Sequence, residues 1–140
     1  MTISRRIQFC AGHRLWKHED KCAHFHGHNY VVHFHATAHE LDEVGRVIDF
    51  NVLKERLGGW IEEHWDHGFI CHGDDEEARR ALSQIPGQKL FLLDSNPTVE
   101  NMAAYLLRVV GPRMLTGTGV RLTRVVLWET ENCCAEATTD

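Results

Sequence analysis

What this chain lacks narrows its functions before any motif is considered. It has no block of lysines and arginines, and 20 acidic residues outnumber 15 basic ones, for a formal charge of -5. A nucleic-acid surface draws its affinity from clustered positive charge, so a nucleic-acid partner is not expected. No apolar run approaches the length that crosses a bilayer, and Met1-Thr2-Ile3-Ser4-Arg5-Arg6 lacks the apolar core of a signal peptide. The five cysteines are odd in number, with Cys133 and Cys134 adjacent, which makes a poor disulfide framework. These absences lead us to expect a cytoplasmic protein with reduced thiols and no membrane partner. The length of 140 residues suits one domain with a substantial core.

Histidine is what the chain has in excess: eleven, with six between His13 and His33. They are densest in Lys21-Cys22-Ala23-His24-Phe25-His26-Gly27-His28-Asn29-Tyr30. Residues 3–13 alternate, with Ile3, Arg5, Ile7, Phe9, Ala11 and His13 on one side. From His26 the even residues His26, His28, Tyr30, Val32, Phe34, Ala36 and Ala38 form a second apolar set. Side chains two apart in a strand share a face. His13, His26 and His28 are therefore predicted on the inner faces of two strands, with His33, His35 and His39 on a wetter face. Three imidazoles with a fourth position open form the usual catalytic zinc site. Zn2+ is the favoured ion, although imidazole also suits copper, nickel and iron.

Four further groups carry chemistry. Cys22 reads as a small buried hydrophobe, as a fourth zinc ligand closing a structural site, or as a reactive thiol activated by Lys21 and the metal. Asp66-His67 reads as a helix end with a capping histidine, or as a carboxylate-oriented imidazole that shuttles protons. Glu129 follows the apolar run Val125-Val126-Leu127-Trp128 and needs a partner there, either a core cation or the N–H groups of a ligand. Arg14, Lys17 and Lys21 crowd one loop, as a solvated face or as a positive mouth for an anionic substrate.

The remaining pattern supplies the frame. Phe50, Leu53, Leu57, Trp60, Ile61 and Trp65 follow helical spacing, with Asp49 or Asn51 as cap and Gly58-Gly59 as a weak point. A short surface helix is expected over 74–83 and a brief strand at Lys89–Leu93. A second long helix runs from the Thr98 cap to Gly111-Pro112. Strands are expected at Val120–Thr130 and Cys133–Thr139. The order β-β-α-α-β-β, with an insertion at about 69–95, implies one α+β domain over 1–140. Its expected form is a four-stranded antiparallel sheet with two main helices on one face.

Several motifs in this order resemble the 6-pyruvoyl-tetrahydropterin synthase superfamily. They are Phe9-x-Ala11-x-His13-Arg14-Leu15, Cys22-x3-His26-Gly27-His28, Asp49-Phe50-x-x-Leu53-Lys54, Asp66-His67, Asn96-Pro97-Thr98-x-Glu100-Asn101 and Trp128-Glu129-Thr130. The three residues between Cys22 and the His-Gly-His resemble the branch that makes 6-carboxy-5,6,7,8-tetrahydropterin in bacterial queuosine biosynthesis. The segment Phe69 to Ser95 is longer than in compact members, and Ala135-Glu136 stands where the last strand often carries tyrosine.

The resemblance implies a tunnelling fold, in which subunit sheets join into a barrel with active sites at the interfaces. The expected assembly is a homo-oligomer, a hexamer. The implied zinc ligands are His13, His26 and His28, and the catalytic residues are Cys22, Asp66 and His67, the last two reaching a neighbouring subunit. Glu129 would anchor a pterin, with Thr98, Lys21 and Arg14 as further substrate-binding residues. The implied reaction is zinc-dependent conversion of 7,8-dihydroneopterin triphosphate to 6-carboxy-tetrahydropterin, acetaldehyde and triphosphate. The nearest alternative is the 6-pyruvoyl lyase reaction on the same substrate. A zinc hydrolase and a non-catalytic, zinc-stabilised assembly module are alternatives from other classes.

Overall fold

Two long strands form the spine, β1 (Thr2–His13) and β2 (His26–Ala38), in a computed structural model that describes residues 1–18 and 20–139. They pair antiparallel, with Phe9 opposite Tyr30, Ala11 opposite His28 and His13 opposite His26. That register buries Phe9, Ala11, Tyr30, Val32, Phe34 and Ala36 together. A slip of one residue would turn the whole buried set of the slipped strand outward. β5 (Val120–Thr130) pairs antiparallel with β2, and β6 (Cys133–Thr138) with β5.

The sheet has six strands, not the expected four. The segment after the first long helix adds β3 (Gly68–His72) and β4 (Leu90–Leu93). β3 lies parallel to β1 and β4 parallel to β3, giving the order β4-β3-β1-β2-β5-β6. Phe69-Ile70-Cys71 gave no alternating signal because the strand is covered on both sides. Ile70 enters the main core, whereas Phe69 and Cys71 pack with Ala78 and Leu82 of the short helix Glu76–Ser83. The two long helices thus share one face, as expected, and the short helix covers β3 from the other.

The first long helix spans residues 50–64. Asp49 caps it by accepting the Asn51 N–H at 2.8 Å. A π-helical stretch, Lys54–Gly58, lies in its middle. The second spans residues 99–114, with the Thr98 hydroxyl accepting the Asn101 N–H at 3.1 Å. It does not stop at Gly111-Pro112 but continues to Met114. The π turn Leu106–Val110 precedes the break, and Pro112 falls in the first turn of the closing segment, where no N–H is required. A Cβ on Gly111 would lie 2.6 Å from Leu122 Cδ1, so glycine permits the close approach to β5. Leu53, Leu57, Ile61 and Trp65 from one helix join Met102, Ala103, Leu106 and Val110 from the other in the core. Each large side chain so buried contributes about 1.5–3 kcal/mol. Among the described residues, no helix is long and apolar enough to cross a membrane.

The β3–β4 segment also clamps the loop between β1 and β2. Arg14 forks onto Asp75, Nε to Oδ2 at 2.7 Å and Nη2 to Oδ1 at 2.5 Å, and reaches Glu77 at 3.1 Å. Asp75 is 1% exposed and also accepts the Ala78 N–H. Trp16 packs on His72 at 4.7 Å, and Phe25 on Phe69 at 4.7 Å. Asn96 holds the Trp16 backbone both ways, accepting its N–H at 2.7 Å and donating to its carbonyl at 3.0 Å. The loop carrying Cys22 is therefore anchored at both ends.

Removing one member of a buried ion pair leaves the other charge uncompensated. Asp75→Ala should lower the unfolding free energy by about 3–5 kcal/mol at neutral pH, whereas exposed Glu77→Ala should cost no more than about 1 kcal/mol. The hydrogen bonds from Arg14 hold the Asp75 carboxyl below the usual carboxylate range. Its stabilisation is complete above about pH 4, the ordinary carboxylate value, and is lost as pH falls through the lower folded value. Urea unfolding of both variants across that range checks this; equal losses for the two would refute it.

Candidate active site

The β1–β2 register gathers His13, His26 and His28. Their ring centroids are 4.6 to 5.0 Å apart, and one ligand atom from each lies within 4.8 Å of the others. His33, His35 and His39 stay outside this group. His13 is 2% exposed, and its Nδ1 lies 2.7 Å from the Pro97 carbonyl. A carbonyl only accepts, so Nδ1 carries the hydrogen and Nε2 the lone pair. His26 Nδ1 is fixed in the same way by the His24 carbonyl at 2.6 Å.

The centre of this cluster is rich in electrons. Among the described residues, the Nε2 atoms of His13 and His28 are buried without a hydrogen-bond partner. Glu129 Oε1 lies 3.4 Å from the first and 3.5 Å from the second. Burial lowers the His13 pKa to about 4, against the raising effect of the Pro97 carbonyl. Burial also lowers that of His28, against the pull of Glu129. At neutral pH His13 is uncharged, so its lone pair faces a carboxylate oxygen with no proton between them. A cation resolves that conflict. Imidazoles oriented through their second nitrogen are the usual metal-ligand arrangement, and the three histidines fit a metal on these grounds.

A bulge delivers Glu129 to the site. In β5, Val120 and Leu122 are buried before Thr123, but Val125 and Leu127 after it. The pairing with β2 skips Thr123. One inserted residue reverses the inner and outer faces of everything downstream, so Glu129 shares the face of Leu127 and the histidines. Its pairing with β6 is irregular as well. The sequence offered no signal for either irregularity.

Cys22 lies in the short 3-10 turn Lys21–Ala23, and both Cys22 and Lys21 are exposed. It is not a small buried hydrophobe, and it stands outside the histidine cluster. The expected positive mouth is reduced, because the Arg14 guanidinium is engaged by Asp75 and Glu77. Lys17 lies over the Trp16 ring at 4.3 Å. The Asn96-Pro97-Thr98 motif is wired residue by residue: Asn96 to Trp16, Pro97 to His13 and Thr98 to Asn101.

Asp66 and His67 dock elsewhere, on the Cys10 backbone. Asp66 Oδ1 accepts the Cys10 N–H at 3.0 Å, and the Cys10 carbonyl accepts the His67 N–H at 2.7 Å. His67 Nδ1 lies 2.9 Å from Asp66 Oδ2. Burial works against ionising Asp66, but these hydrogen bonds outweigh it and hold its pKa below the usual range. Cys10 alternates with inward-facing Phe9 and Ala11, so its side chain points to the face opposite His13. The His67 side chain is 78% exposed. The chain does not bring its own Asp66-His67 pair to its own histidine cluster.

Comparison with known proteins agrees with this architecture. The sequence model of one family, 6-pyruvoyl tetrahydropterin synthase, matches residues 2–140. The 6-carboxy-5,6,7,8-tetrahydropterin synthase of Rickettsia conorii is 39% identical over 136 residues, covering 97% of this chain and 99% of that one. Among solved structures, an uncharacterized protein of Wolinella succinogenes superposes with a TM-score of 0.81 at 26% identity, covering 100% of this chain and 98% of that one. The 6-pyruvoyl tetrahydropterin synthase of Caenorhabditis elegans shares the fold with a TM-score of 0.71 at 24% identity, covering 100% and 96%.

The buried imidazole has a consequence for the metal-free protein. A folded His13 pKa near 4 lies below the unfolded value of about 6.5, so between the two the unfolded chain binds the extra proton. Stability of the metal-free protein should therefore fall as pH drops from about 6.5 to about 4. His13→Gln, which cannot titrate, should flatten the slope over that range in a denaturant series. An unchanged slope would show that His13 is not held neutral.

Proposed function

The chain belongs to the 6-pyruvoyl tetrahydropterin synthase family, and on that premise we propose that it converts 7,8-dihydroneopterin triphosphate to 6-carboxy-5,6,7,8-tetrahydropterin. Acetaldehyde and triphosphate are released, and the product enters queuosine biosynthesis. The observation that carries this reading is the convergence of His13 Nε2, His28 Nε2 and Glu129 Oε1, with the oxygen 3.4 and 3.5 Å from the two nitrogens and the buried His13 held neutral. The name of the Rickettsia relative, which aligns over 97% of the chain, favours the 6-carboxy product over the 6-pyruvoyl one. In this reading residues 1–140 are one domain, and the 69–95 insertion serves to hold the Cys22 loop.

Zinc held by His13, His26 and His28 would supply Lewis acidity toward the hydroxyls of the substrate side chain. Cys22, as thiolate, takes a proton from carbon. His67, oriented by Asp66, returns one. Because that pair lies on the opposite face of β1 from the histidines, it serves the site of a neighbouring subunit. This requires a homo-oligomer, proposed to be a cytoplasmic hexamer. Glu129 accepts two N–H groups from the aminopyrimidine edge of the pterin, a charge-assisted pair. The Thr98 hydroxyl accepts from Asn101 and keeps its hydrogen free to donate. Lys17 and Lys21 meet the triphosphate, while Arg14 acts through the loop it fixes.

Cys22→Ala should retain the zinc of the histidine site and lose turnover, whereas His26→Ala should lose both that zinc and turnover. Metal analysis with identification of the product by mass checks this. Equal metal loss in the two variants would favour ligation by Cys22 and an assembly module. Undiminished turnover in Cys22→Ala would favour a hydrolase that works through water.

Glu129→Gln should fold normally but bind pterin more weakly by about 2–5 kcal/mol, roughly 30- to 5,000-fold. The amide presents an N–H where the ligand also presents one. Calorimetric titration beside a thermal melt separates this from a structural role, which would lower the melting temperature and spare affinity.

A further inference from the structure

The proposed reaction leaves Cys10 without a task, yet its thiol closes a second cluster on the face of β1 opposite His13. Cys10 Sγ lies 3.6 Å from His67 Nε2, 3.8 Å from His67 Nδ1 and 3.8 Å from Asp66 Oδ1. One ligand atom from each of the three residues falls within 4.8 Å of the others. With bonds of about 2.3 Å to sulfur and about 2.0–2.1 Å to nitrogen or oxygen, a tetrahedral ion holds its ligands roughly 3.5 Å apart. The Cys10–His67 separation is close to that spacing.

We propose that Cys10 Sγ, His67 Nε2 and Asp66 Oδ1 form a second divalent transition-metal site in each chain. The donor types and their fixation both support it. The hydrogen on His67 Nδ1 is taken by Asp66 Oδ2 at 2.9 Å, which leaves Nε2 with an unprotonated lone pair. Asp66 Oδ1 accepts the Cys10 N–H and has a second lone pair to offer. The Cys10 backbone positions its two partners: its carbonyl accepts the His67 N–H, and its N–H donates to Asp66 Oδ1. His67 is held there at φ 58, a left-handed conformation that is uncommon outside glycine and is kept only where its surroundings impose it. Thiolate with imidazole selects zinc, cobalt or copper over magnesium or calcium. Cys10 enters as thiolate, so each ion bound releases one proton.

The consequence for turnover rests on the proposed function: an ion on His67 Nε2 occupies the nitrogen that would return the proton, so excess zinc inhibits. The test uses the full chain dialysed against Zn2+, and separately Co2+, with metal counted per chain. Two ions are expected in the wild type, two in Cys22→Ala, and one in Cys10→Ser or His67→Gln. Cobalt should add a near-ultraviolet thiolate charge-transfer band that Cys10→Ser abolishes and Cys22→Ala retains. Excess zinc should inhibit the wild type and spare Cys10→Ser. One ion per wild-type chain, or a band that follows Cys22 instead of Cys10, would overturn the second site. An absence of pterin turnover would refute the proposed function and leave the metal count standing as its own test.

Discussion

The antiparallel register of β1 on β2 is the constraint on which the rest depends. Aligning Phe9 with Tyr30 buries a stacked aromatic pair, 5.0 Å between centroids, and the same alignment sets His13 against His26 four residues on. The site is therefore positioned by the packing that stabilises the fold, since a slip of one residue would expose the core and disperse the imidazoles in one step. Pro97 adds the fixing contact on His13 from the cap of the last helix. Core, cap and ligand orientation are consequences of one pairing.

β1 is also used on both faces. Odd residues build the core and end in His13; Cys10, an even one, receives Asp66 and His67 through its backbone. The two polar clusters lie three residues apart in sequence and on opposite sides of one strand. A proton shuttle separated in this way from its own metal ligands serves a neighbouring copy in the proposed reaction, which makes assembly a condition of chemistry.

The 69–95 segment joins stability to the proposed chemistry. Its two parallel strands extend the sheet past β1. Buried Asp75 takes Arg14, while His72 and Phe69 take Trp16 and Phe25. A loop of exposed polar residues would otherwise lose several kcal/mol of ordering entropy each time it closed on a ligand. Here that ordering is part of folding, so Cys22 is presented on a prepared turn.

The two-residue periods of β1 and β2 can be read from the residues alone, and with them the shared face of His13, His26 and His28, because side-chain alternation is local. Both long helices and the Thr98 cap were legible in the same way, since a capping hydrogen bond spans two or three residues; the choice of Asp49 over Asn51 at the first cap came from the structure. The sequence did not reveal β3, since a strand buried on both faces has no alternation to read. It led to the expectation that the second helix stops at Gly111-Pro112, where close packing on Leu122 and a π turn carry it on to Met114. Long-range packing is what pairs Arg14 with Asp75, 61 residues away, and brings Cys10 to His67. Only the bulge at Thr123 decided which face Glu129 occupies. Those outcomes depend on pairing between distant segments, where one inserted residue reverses the face of everything after it, and no local pattern encodes that insertion.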